Sequence, residues 1–307
     1  MKVIYGIGLL KLAKPSCVAV GVFDGLHRGH QTVIKKVVSI ARKKKTQSVI
    51  LTFFPHPDLV VKSSKKSPLL ISLKHRLSLI KSFGVDICVV VRFSLGFRKI
   101  KAGDFVSNIL LKRCQMKDLV VSRNFIFGKD RIGDYKLINK LSKDYNFRVH
   151  FLPEQRSNKK TISSTLIRSL ISSGDLRGAS KFLGRRVEVV GTVVGGDSRG
   201  RKIGFPTANI DPHHEVIPSK GVYIIEAWLN NKRLLGLANI GFRPTFKKHK
   251  REIIEIHLLN FKKNIYGKDL RVVFIKKLRT EKKFKQKSHL ISQIYRDIQQ
   301  AKTFFSI

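Results

Sequence analysis

Two hydrophobic patterns follow one another along the chain. In the first, continuous runs of valine, isoleucine and other apolar residues recur, and such runs favour strands covered on both faces of a parallel sheet. Between the runs, apolar residues repeat at helical spacing, as in Val33, Ile34, Val37, Val38 and Ala41. Strands that alternate with helices predict a doubly wound α/β domain. The predicted strands are "SCVAVGVF" (16–23), "SVILTFF" (48–54), "VDICVVVRF" (85–93) and "DLVVSRNF" (118–125).

The second pattern begins after "KFLGRR" at 181–186. Short stretches of alternating polar and apolar residues replace the helical spacing, and this change predicts an antiparallel β-barrel. A final stretch, residues 288–304, carries one apolar stripe and predicts a closing helix. We therefore expect two domains, an α/β domain at residues 1–183 and an all-β domain with a C-terminal helix at residues 184–307.

Length and composition agree with two folded domains. The chain has 307 residues, of which 42% are hydrophobic, enough for a substantial core in each half. The sequence contains no apolar run long enough to span a membrane and no signal-peptide pattern, so we expect a cytoplasmic protein without a membrane partner. The three cysteines, Cys17, Cys88 and Cys114, lack CxxC spacing, and we interpret them as core thiols.

The formal net charge of +42 raises the question of a nucleic-acid partner. The basic residues are spread through both halves, without zinc-finger spacing or an RNA-binding string of aromatic residues. We therefore interpret them as solvated surface lysines and arginines, and expect no specific nucleic-acid partner beyond weak, salt-sensitive polyanion binding. A basic polyanion-binding protein built on a nucleotide-binding scaffold remains an alternative.

Candidate chemistry first appears in "GVFDGLHRGH" (21–30), where the first predicted strand gives way to a helix. In a doubly wound sheet this turn is the favoured seat for phosphate. Gly25 and Gly29 let the backbone approach a ligand, and a helix that opens near His30 turns free N–H groups towards an anion. His27 and His30 can donate hydrogen bonds to phosphate oxygens. The turn is not the GxxxxGK[ST] loop of P-loop kinases.

This turn and "ISSTLIR" (162–168) together resemble the paired motifs of the nucleotidylyltransferase superfamily. Two further motifs, "TFFPHP" (52–57) and "NFIFGKDRIGD" (124–134), narrow the resemblance to the prokaryotic bifunctional riboflavin kinase/FMN adenylyltransferases, the FAD synthetases. The second half is similar to the flavokinase module of the same family, and the resemblance covers nearly the whole chain. The flavokinase-like stretches are "GTVVGGDSRGRKIGFPTANI" (191–210), "NIGFRPTF" (239–246), "EIHLLNFKKNIYGK" (255–268) and "LRTEKKF" (278–284).

The resemblance implies a Rossmann-like nucleotidylyltransferase domain followed by a flavokinase antiparallel β-barrel. It implies that riboflavin is phosphorylated to FMN, and that FMN is then adenylylated to FAD with release of pyrophosphate. The expected ligands are riboflavin, FMN and ATP with magnesium. FMN and FAD are expected as products rather than as tightly bound cofactors, and the chain is expected to be a monomer or a weak oligomer.

For adenylyl transfer, the resemblance implies that the phosphate of FMN attacks the α-phosphorus of ATP. A phosphate is already a nucleophile, so the site has to supply positioning and charge stabilisation. His27, His30 and Arg168 are the expected catalytic residues. The further residues expected to bind ATP are Gly21, Phe23, Gly25, Gly29, Ser164 and Thr165. Flavin contacts are expected from Phe54, Pro55, His56, Pro57, Asn124, Phe125 and Phe127.

For phosphorylation of riboflavin, Glu255 is expected to accept the proton of the flavin 5'-hydroxyl, and its neighbours Ile254 and Ile256 are expected to face the other side of an alternating strand. Thr207 and Asn209 lie two residues apart, so in a strand they share one face, and the resemblance implies that they hold magnesium and ATP. A glycine-rich flap over the phosphates is expected from Gly196, Gly200 and Gly204, together with Ser198 and Arg199. Flavin contacts are expected from Arg279, Glu281 and Phe284.

Three positions depart from the family pattern. Ser122 stands where glycine is usual, Gly195 where histidine is frequent, and Asn260 where an acidic residue is common. The serine could narrow the approach to the backbone at the end of its strand, and the other two changes could lower flavin or nucleotide affinity. An enzyme with only one active module is a second alternative, for which Ser122 is the only hint.

Overall fold

The backbone forms two compact units, each with its own sheet and its own core. The computed structural model describes residues 1–8, 10–61, 68–157, 160–196, 200, 203–243 and 251–307. The first unit comprises Met1–Ser67 and Leu73–Ser163, and the second comprises Pro68–Ser72 and Ser164–Ile307.

The first unit is a parallel sheet with helices. Its sheet strands are β1 (Lys2–Tyr5), β2 (Ser16–Val20), β3 (Gln47–Phe54), β4 (Ile87–Arg92), β5 (Met116–Ser122) and β6 (Arg148–Leu152). Two further strands of two residues each, β7 (Arg156–Ser157) and β8 (Lys160–Thr161), form a separate antiparallel pair. Its helices are α1 (Arg28–Lys44), α2 (Pro57–Val61), α3 (Leu73–Ser82), α4 (Leu95–Arg98), α5 (Ala102–Asp104, continued by a π-helical segment, Phe105–Leu111) and α6 (Tyr135–Asp144).

The six strands β1 to β6 lie in the order β1-β4-β3-β2-β5-β6, and every neighbouring pair is parallel. This confirms the prediction of a doubly wound sheet from the apolar runs. The strand order reverses at β2, which pairs with β3 on one side and β5 on the other. Ligands of such sheets bind beyond the carboxyl ends of the strands at the reversal point, where the histidine turn follows β2.

The second unit is a closed antiparallel barrel with helices. Its strands are β9 (Glu188–Val194), β10 (Ala208–Asp211), β11 (Gly221–Leu229), β12 (Lys232–Arg243), β13 (Arg251–Leu258) and β14 (Asp269–Arg279). Its helices are α7 (Ser164–Ser173), α8 (Leu176–Leu183) and α9 (Lys287–Phe305). The barrel order is β10-β13-β12-β11-β14-β9, and β9 pairs with β10 to close it. Both the barrel and the final helix agree with the sequence-based prediction.

The predicted domain boundary near residue 184 falls at the end of α8, where Gly184 adopts a left-handed conformation and ends the helix. In the structure, however, α7 and α8 pack with the second unit, so the compact units part between residues 163 and 164. The assignment of one activity to residues 1–183 and the other to residues 184–307 stays a prediction. The cysteines match their interpretation as core thiols, because all three are free and buried.

Candidate active sites

The histidine turn connects β2 to α1 within the first unit. Helix α1 begins at Arg28, earlier than the opening near His30 expected from the sequence, and His27 caps it. The Nδ1 atom of His27 accepts a hydrogen bond from the backbone N–H of His30 at 3.4 Å. The two imidazole rings stack with their centroids 3.6 Å apart. The N–H of His30, expected to be free for an anion, is therefore used within the turn.

The cap also determines which nitrogen of His27 can act as a donor. Because Nδ1 accepts a hydrogen bond, the proton of the neutral ring lies on Nε2. Burial, followed by the charges of His27 and Arg76, holds the pKa of His30 well below its ordinary value. A neutral His30 avoids the repulsion that two adjacent imidazolium ions would create in the stacked pair.

The other predicted residues of this turn shape it. The Phe23 side chain is buried and packs edge-on against His30, with 5.3 Å between ring centroids, so only its backbone is available to a nucleotide. Gly25 has a φ of +79°, which favours glycine. A Cβ on Gly21 would lie 3.1 Å from the Phe23 ring, and a Cβ on Gly29 would lie 3.3 Å from the His27 ring.

The "FFPHP" turn follows β3 at the same carboxyl edge of the sheet. Phe54 is exposed, and the Phe54–Pro55 peptide bond is cis. His56 Nδ1 accepts a hydrogen bond from the N–H of Asp58 at 3.1 Å, and Pro57 is the first residue of α2. These four predicted flavin contacts therefore form one short turn next to the histidine turn, because β2 and β3 are adjacent parallel strands.

Six phenylalanines form a connected aromatic cluster near the carboxyl ends of β3, β4 and β5. Each ring has a neighbour in the cluster within 6.2 Å, and the rings of Phe125 and Phe127 stack at 5.2 Å. Only these last two were predicted from the sequence as flavin contacts, because Phe93 and Phe97 lie in a segment that contains no family motif. Phe105 and Phe127 are buried in the core of the unit. Phe53, Phe97 and Phe125 pack against that core and keep part of their surface exposed to a flat apolar ligand. The members of the cluster are Phe53, Phe93, Phe97, Phe105, Phe125 and Phe127.

Asn124 is held in place by hydrogen bonds at the end of β5. The hydroxyl of Ser122 donates to Asn124 Oδ1 at 2.6 Å, and Asn124 Nδ2 donates to Glu154 Oε1 at 2.8 Å. Ser122, which departs from the family pattern, thus orients the amide of a predicted flavin contact.

Three further predicted ATP contacts lie in the second unit. Ser164 and Thr165 form the start of α7, and Arg168 follows one turn later. Arg168 Nε donates to the backbone oxygen of Pro68 at 2.8 Å. Their roles in ATP binding stay predictions.

A cavity of about 360 Å³ lies in the second unit and brings together predicted kinase residues from both ends of the barrel sequence. Six of the predicted residues line it, although Gly196 and Gly204 are not among its lining residues. Ser198 and Arg199 lie outside the described residues. The predicted residues that line the cavity are Thr207, Asn209, Glu255, Arg279, Glu281 and Phe284.

The polar centre of this cavity is set by strand register. Glu255 on β13 lies directly opposite Asn209 on β10 and opposite Asn239 on β12. The neighbours of Glu255, Ile254 and Ile256, are buried on the other face of the strand, as the alternating pattern predicted. Asn239 was missed, although an asparagine at an alternating position of "LLGLANIG" could have indicated it.

The glycines near Asn209 and Thr207 differ in the space that they leave for a side chain. A Cβ on Gly196 would overlap the side-chain amide of Asn209, so a side chain at this position would displace the asparagine. A Cβ on Gly200 would lie 3.0 Å from Thr207 Oγ1. The structure therefore gives a steric reason for glycine at position 196, while its role in a flap over the phosphates stays a prediction. Gly204 has a φ of +88° and open space around it.

Arg279, at the end of β14, is bound by helix α9. Its Nε donates to both carboxylate oxygens of Asp297 at 3.0 Å, and its Nη2 donates to Oδ2 at 2.8 Å. Gln293 Nε2 donates to the same carboxylate at 2.9 Å. Asp297 is almost fully buried, and the cavity is lined by both members of the pair. Asp297 was not predicted from the sequence, because the apolar pattern of a helix does not show which distant strand its polar residues contact.

A second cavity, of about 480 Å³, lies against the same barrel and shares Thr207 with the first. Its walls include Lys262 and Lys263 and the aromatic residues Phe261 and Tyr266. The two cavities thus share one lining residue and offer separate places for two substrates.

Comparisons with known proteins match both units. A family model of FAD synthetase matches residues 10–166, and one of riboflavin kinase matches residues 183–305. The fold and these matches define a two-module flavin nucleotide transferase. The chain belongs to the bifunctional riboflavin kinase/FMN adenylyltransferase family, and it phosphorylates riboflavin and adenylylates FMN in ATP-dependent reactions.

The relatives are similar over their whole length. The bifunctional riboflavin kinase/FMN adenylyltransferase of Buchnera aphidicola subsp. Schizaphis graminum is 35% identical over 312 residues, covering 100% of both chains. The protein of the same name from Escherichia coli K12 is 36% identical over 310 residues, covering 100% of this chain and 99% of its own. These full-length matches agree with the motif order found in the sequence.

A solved structure described as a macrolide-efflux protein from Streptococcus pneumoniae is also similar. It has a TM-score of 0.86 and 27% identity, and the match covers 98% of this chain and 99% of the other. The similarity covers the folds of both units, whereas the description as a macrolide-efflux protein applies to the Streptococcus pneumoniae protein. None of the helices among the described residues has the length and apolar character needed to cross a membrane.

Proposed function

We propose that riboflavin is phosphorylated in the barrel cavity with Glu255 as the general base. The supporting observation is the row of Asn209, Glu255 and Asn239, which lie opposite one another on adjacent strands and line one cavity. A carboxylate between two neutral amides can accept the proton of the 5'-hydroxyl as that oxygen attacks the γ-phosphorus of ATP, the bond from the γ-phosphorus to the bridging oxygen breaks, and ADP leaves.

Magnesium fits the residues beside Glu255. Among the described residues, no group of three or more His, Cys, Asp or Glu side chains could hold a metal ion, so the ion would depend on neutral oxygens and on ATP itself. The hydroxyl of Thr207 and the amide oxygen of Asn209 would hold it, since magnesium prefers oxygen ligands and shares them with phosphates. When bound, magnesium neutralises charge on the phosphate oxygens.

The two barrel cavities suit different substrates. Riboflavin fits the first, where Phe284, Leu290 and Ile294 provide apolar walls near Glu255. ATP fits the second, where Lys262 and Lys263 supply positive charge. Because Thr207 lines both, it would lie close to the γ-phosphate and to the flavin hydroxyl that attacks it.

Adenylyl transfer is proposed for the carboxyl edge of the parallel sheet. His27 donates from Nε2, and together with His30 it stabilises charge on the phosphate oxygens of ATP. The phosphate of FMN attacks the α-phosphorus, and the bond to the leaving pyrophosphate breaks. The aromatic cluster and the "FFPHP" turn would bind the isoalloxazine ring in the same unit.

The proposal is tested by chromatographic analysis of the products formed from riboflavin, ATP and magnesium by His30→Ala and Glu255→Ala. We expect the first variant to stop at FMN. We expect the second to make no FMN but still to convert supplied FMN to FAD. Loss of both activities in one folded variant would contradict the two-site division.

Product analysis of the unmodified chain and a measurement of its RNA binding address the two alternatives left by the sequence. An enzyme with one inactive module would fail one of the two reactions in its unmodified form. Steep, salt-dependent RNA binding without flavin turnover would favour the polyanion-binding alternative. A monomeric or weakly oligomeric state and a cytoplasmic location stay predictions.

A further inference from the structure

Helix α3 buries an arginine on the side where its apolar residues pack. Leu73, Leu77 and Ile80 recur at helical spacing along α3, and Arg76 lies beside them with 0% of its surface exposed. Arginine is almost never fully buried unless its charge is paired. This guanidinium therefore requires an explanation.

Arg76 connects the two turns at the carboxyl edge of the sheet. Its Nη1 donates to the backbone oxygen of Phe53 at 3.0 Å and to Thr52 Oγ1 at 3.2 Å. The Thr52 hydroxyl in turn donates to the backbone oxygen of Val22 at 3.0 Å. Phe53 directly precedes the "FPHP" turn, and Val22 belongs to the histidine turn. Arg76 therefore contacts one segment directly and the other through Thr52, and it adds to the pairing of β2 with β3.

Stability alone does not account for this residue. Two of its nitrogens, Nε and Nη2, are buried and have no hydrogen-bond partner among the described residues. Burial lowers the pKa of Arg76, and the nearby charge of Asp24 opposes this effect. Unsatisfied buried donors lower the free energy of unfolding, and an apolar side chain of similar size would avoid that cost.

We propose that Arg76 is a positioning residue for adenylyl transfer, which holds the histidine turn and the "FPHP" turn at a fixed spacing. The inference rests on the proposed function of these turns. Small displacements of bound reactants reduce the rate strongly, because the reaction depends on alignment of the attacking phosphate with the α-phosphorus.

Arg76 also acts on His30 through its charge. The titratable groups that influence His30 are His27 in the turn and Arg76 in α3, while Asp24 acts on Arg76 itself. Burial makes the largest contribution to the lowered pKa of His30, and the positive charge of Arg76 adds to it. Removal of this charge should therefore move the titration of His30 to higher pH.

The test compares Arg76→Met, Arg76→Lys and the exposed control Lys81→Met on the same helix, all in the full-length chain. FAD formation from supplied FMN is measured together with the kinase reaction. We expect Arg76→Met to lower kcat for FAD formation roughly 10- to 100-fold, with the kinase rate unchanged. Lys81→Met should leave both rates unchanged.

Titration of the His30 imidazole by NMR, with the signal assigned through His30→Ala, separates positioning from loss of fold. We expect its pKa to rise in Arg76→Met and to stay low in Arg76→Lys. Unchanged FAD formation and an unchanged His30 titration in Arg76→Met would overturn the inference. If His30→Ala retained FAD formation, the proposed function of the histidine turn would be wrong. If His30→Ala lost FAD formation while Arg76→Met retained it, only the inference about Arg76 would be wrong.

Discussion

Replacement of Asp297 by asparagine should weaken riboflavin binding in the barrel cavity. The carboxylate holds Arg279 through both of its oxygens, with distances of 2.8 to 3.0 Å. An asparagine has one oxygen and one NH₂ group, so one side of the guanidinium would face another donor. Arg279 would then leave the orientation in which it lines the cavity.

The magnitude follows from the burial of the pair. Asp297 is 3% exposed, and the Arg279 side chain is 17% exposed, so water screens their attraction little. Hydrogen bonds to charged groups contribute about 1.5 to 3 kcal/mol. If the lost energy is that of one flavin contact, KM for riboflavin rises roughly 10- to 100-fold. The loss of one partner from a buried pair also lowers the free energy of unfolding by about 3 to 5 kcal/mol.

The assay measures initial rates of FMN formation at varied riboflavin concentration in Asp297→Asn and in the exposed control Arg296→Ala. Destabilisation alone reduces the amount of active enzyme and hence the apparent kcat, whereas loss of Arg279 positioning raises KM. FAD formation from supplied FMN serves as an internal control in each sample. An unchanged KM in Asp297→Asn at normal kcat would refute the reasoning.

Three further outcomes follow from buried contacts. Gly196→Ala should reduce riboflavin phosphorylation but not FAD formation, because the added Cβ overlaps Asn209; product analysis checks this. Burial raises the pKa of Asp118, but hydrogen bonds and charges from two partners outweigh burial and hold it below the ordinary value. Asp118→Asn should therefore lower the free energy of unfolding by about 2 kcal/mol at neutral pH. Denaturant unfolding at several pH values should show that this difference shrinks as the pH falls through the lowered pKa of Asp118. The folded protein should resist alkylation by iodoacetamide at pH 8, because burial raises the pKa of each thiol to about 12 in Cys17, Cys88 and Cys114.

Each of these outcomes has a contrary result. Equal kinase rates in Gly196→Ala would mean that Asn209 has room to move. A pH-independent difference in Asp118→Asn would mean that Lys44 and His150, which bind the carboxylate at 2.5 and 2.7 Å, do not act through its charge. Alkylation of the native protein at the rate seen in denaturant would show that the cysteines are accessible.

The elements that could be predicted from the sequence are those whose side chains follow one regular pattern of burial. Strands β2 to β5 are buried on both faces, so their apolar runs are continuous and easily recognised. Strands β1 and β6 escaped prediction because they pair on one side only and keep partly exposed residues. The alternation around Glu255 was read correctly because its two neighbours are buried isoleucines.

The parts that were missed depend on partners distant in sequence. Arg76 lies in an ordinary amphipathic pattern, in which an arginine is normally solvated, and its burial depends on Thr52 and Phe53. Asp297 likewise becomes informative only through Arg279. The early start of α1 was not predicted because a histidine is an uncommon helix cap. Local patterns contain no information about such long-range pairings.

Because the barrel is closed, tolerance to insertions should be very uneven along its sequence. Addition of one residue within β10, β12 or β13 would turn Asn209, Asn239 or Glu255 to the opposite face, and no free edge exists at which the shift could be absorbed. The tight connection between β11 and β12, at Asn230 and Asn231, could instead be lengthened with little effect on phosphorylation. Tags or reporter peptides for this enzyme are therefore best inserted at that hairpin.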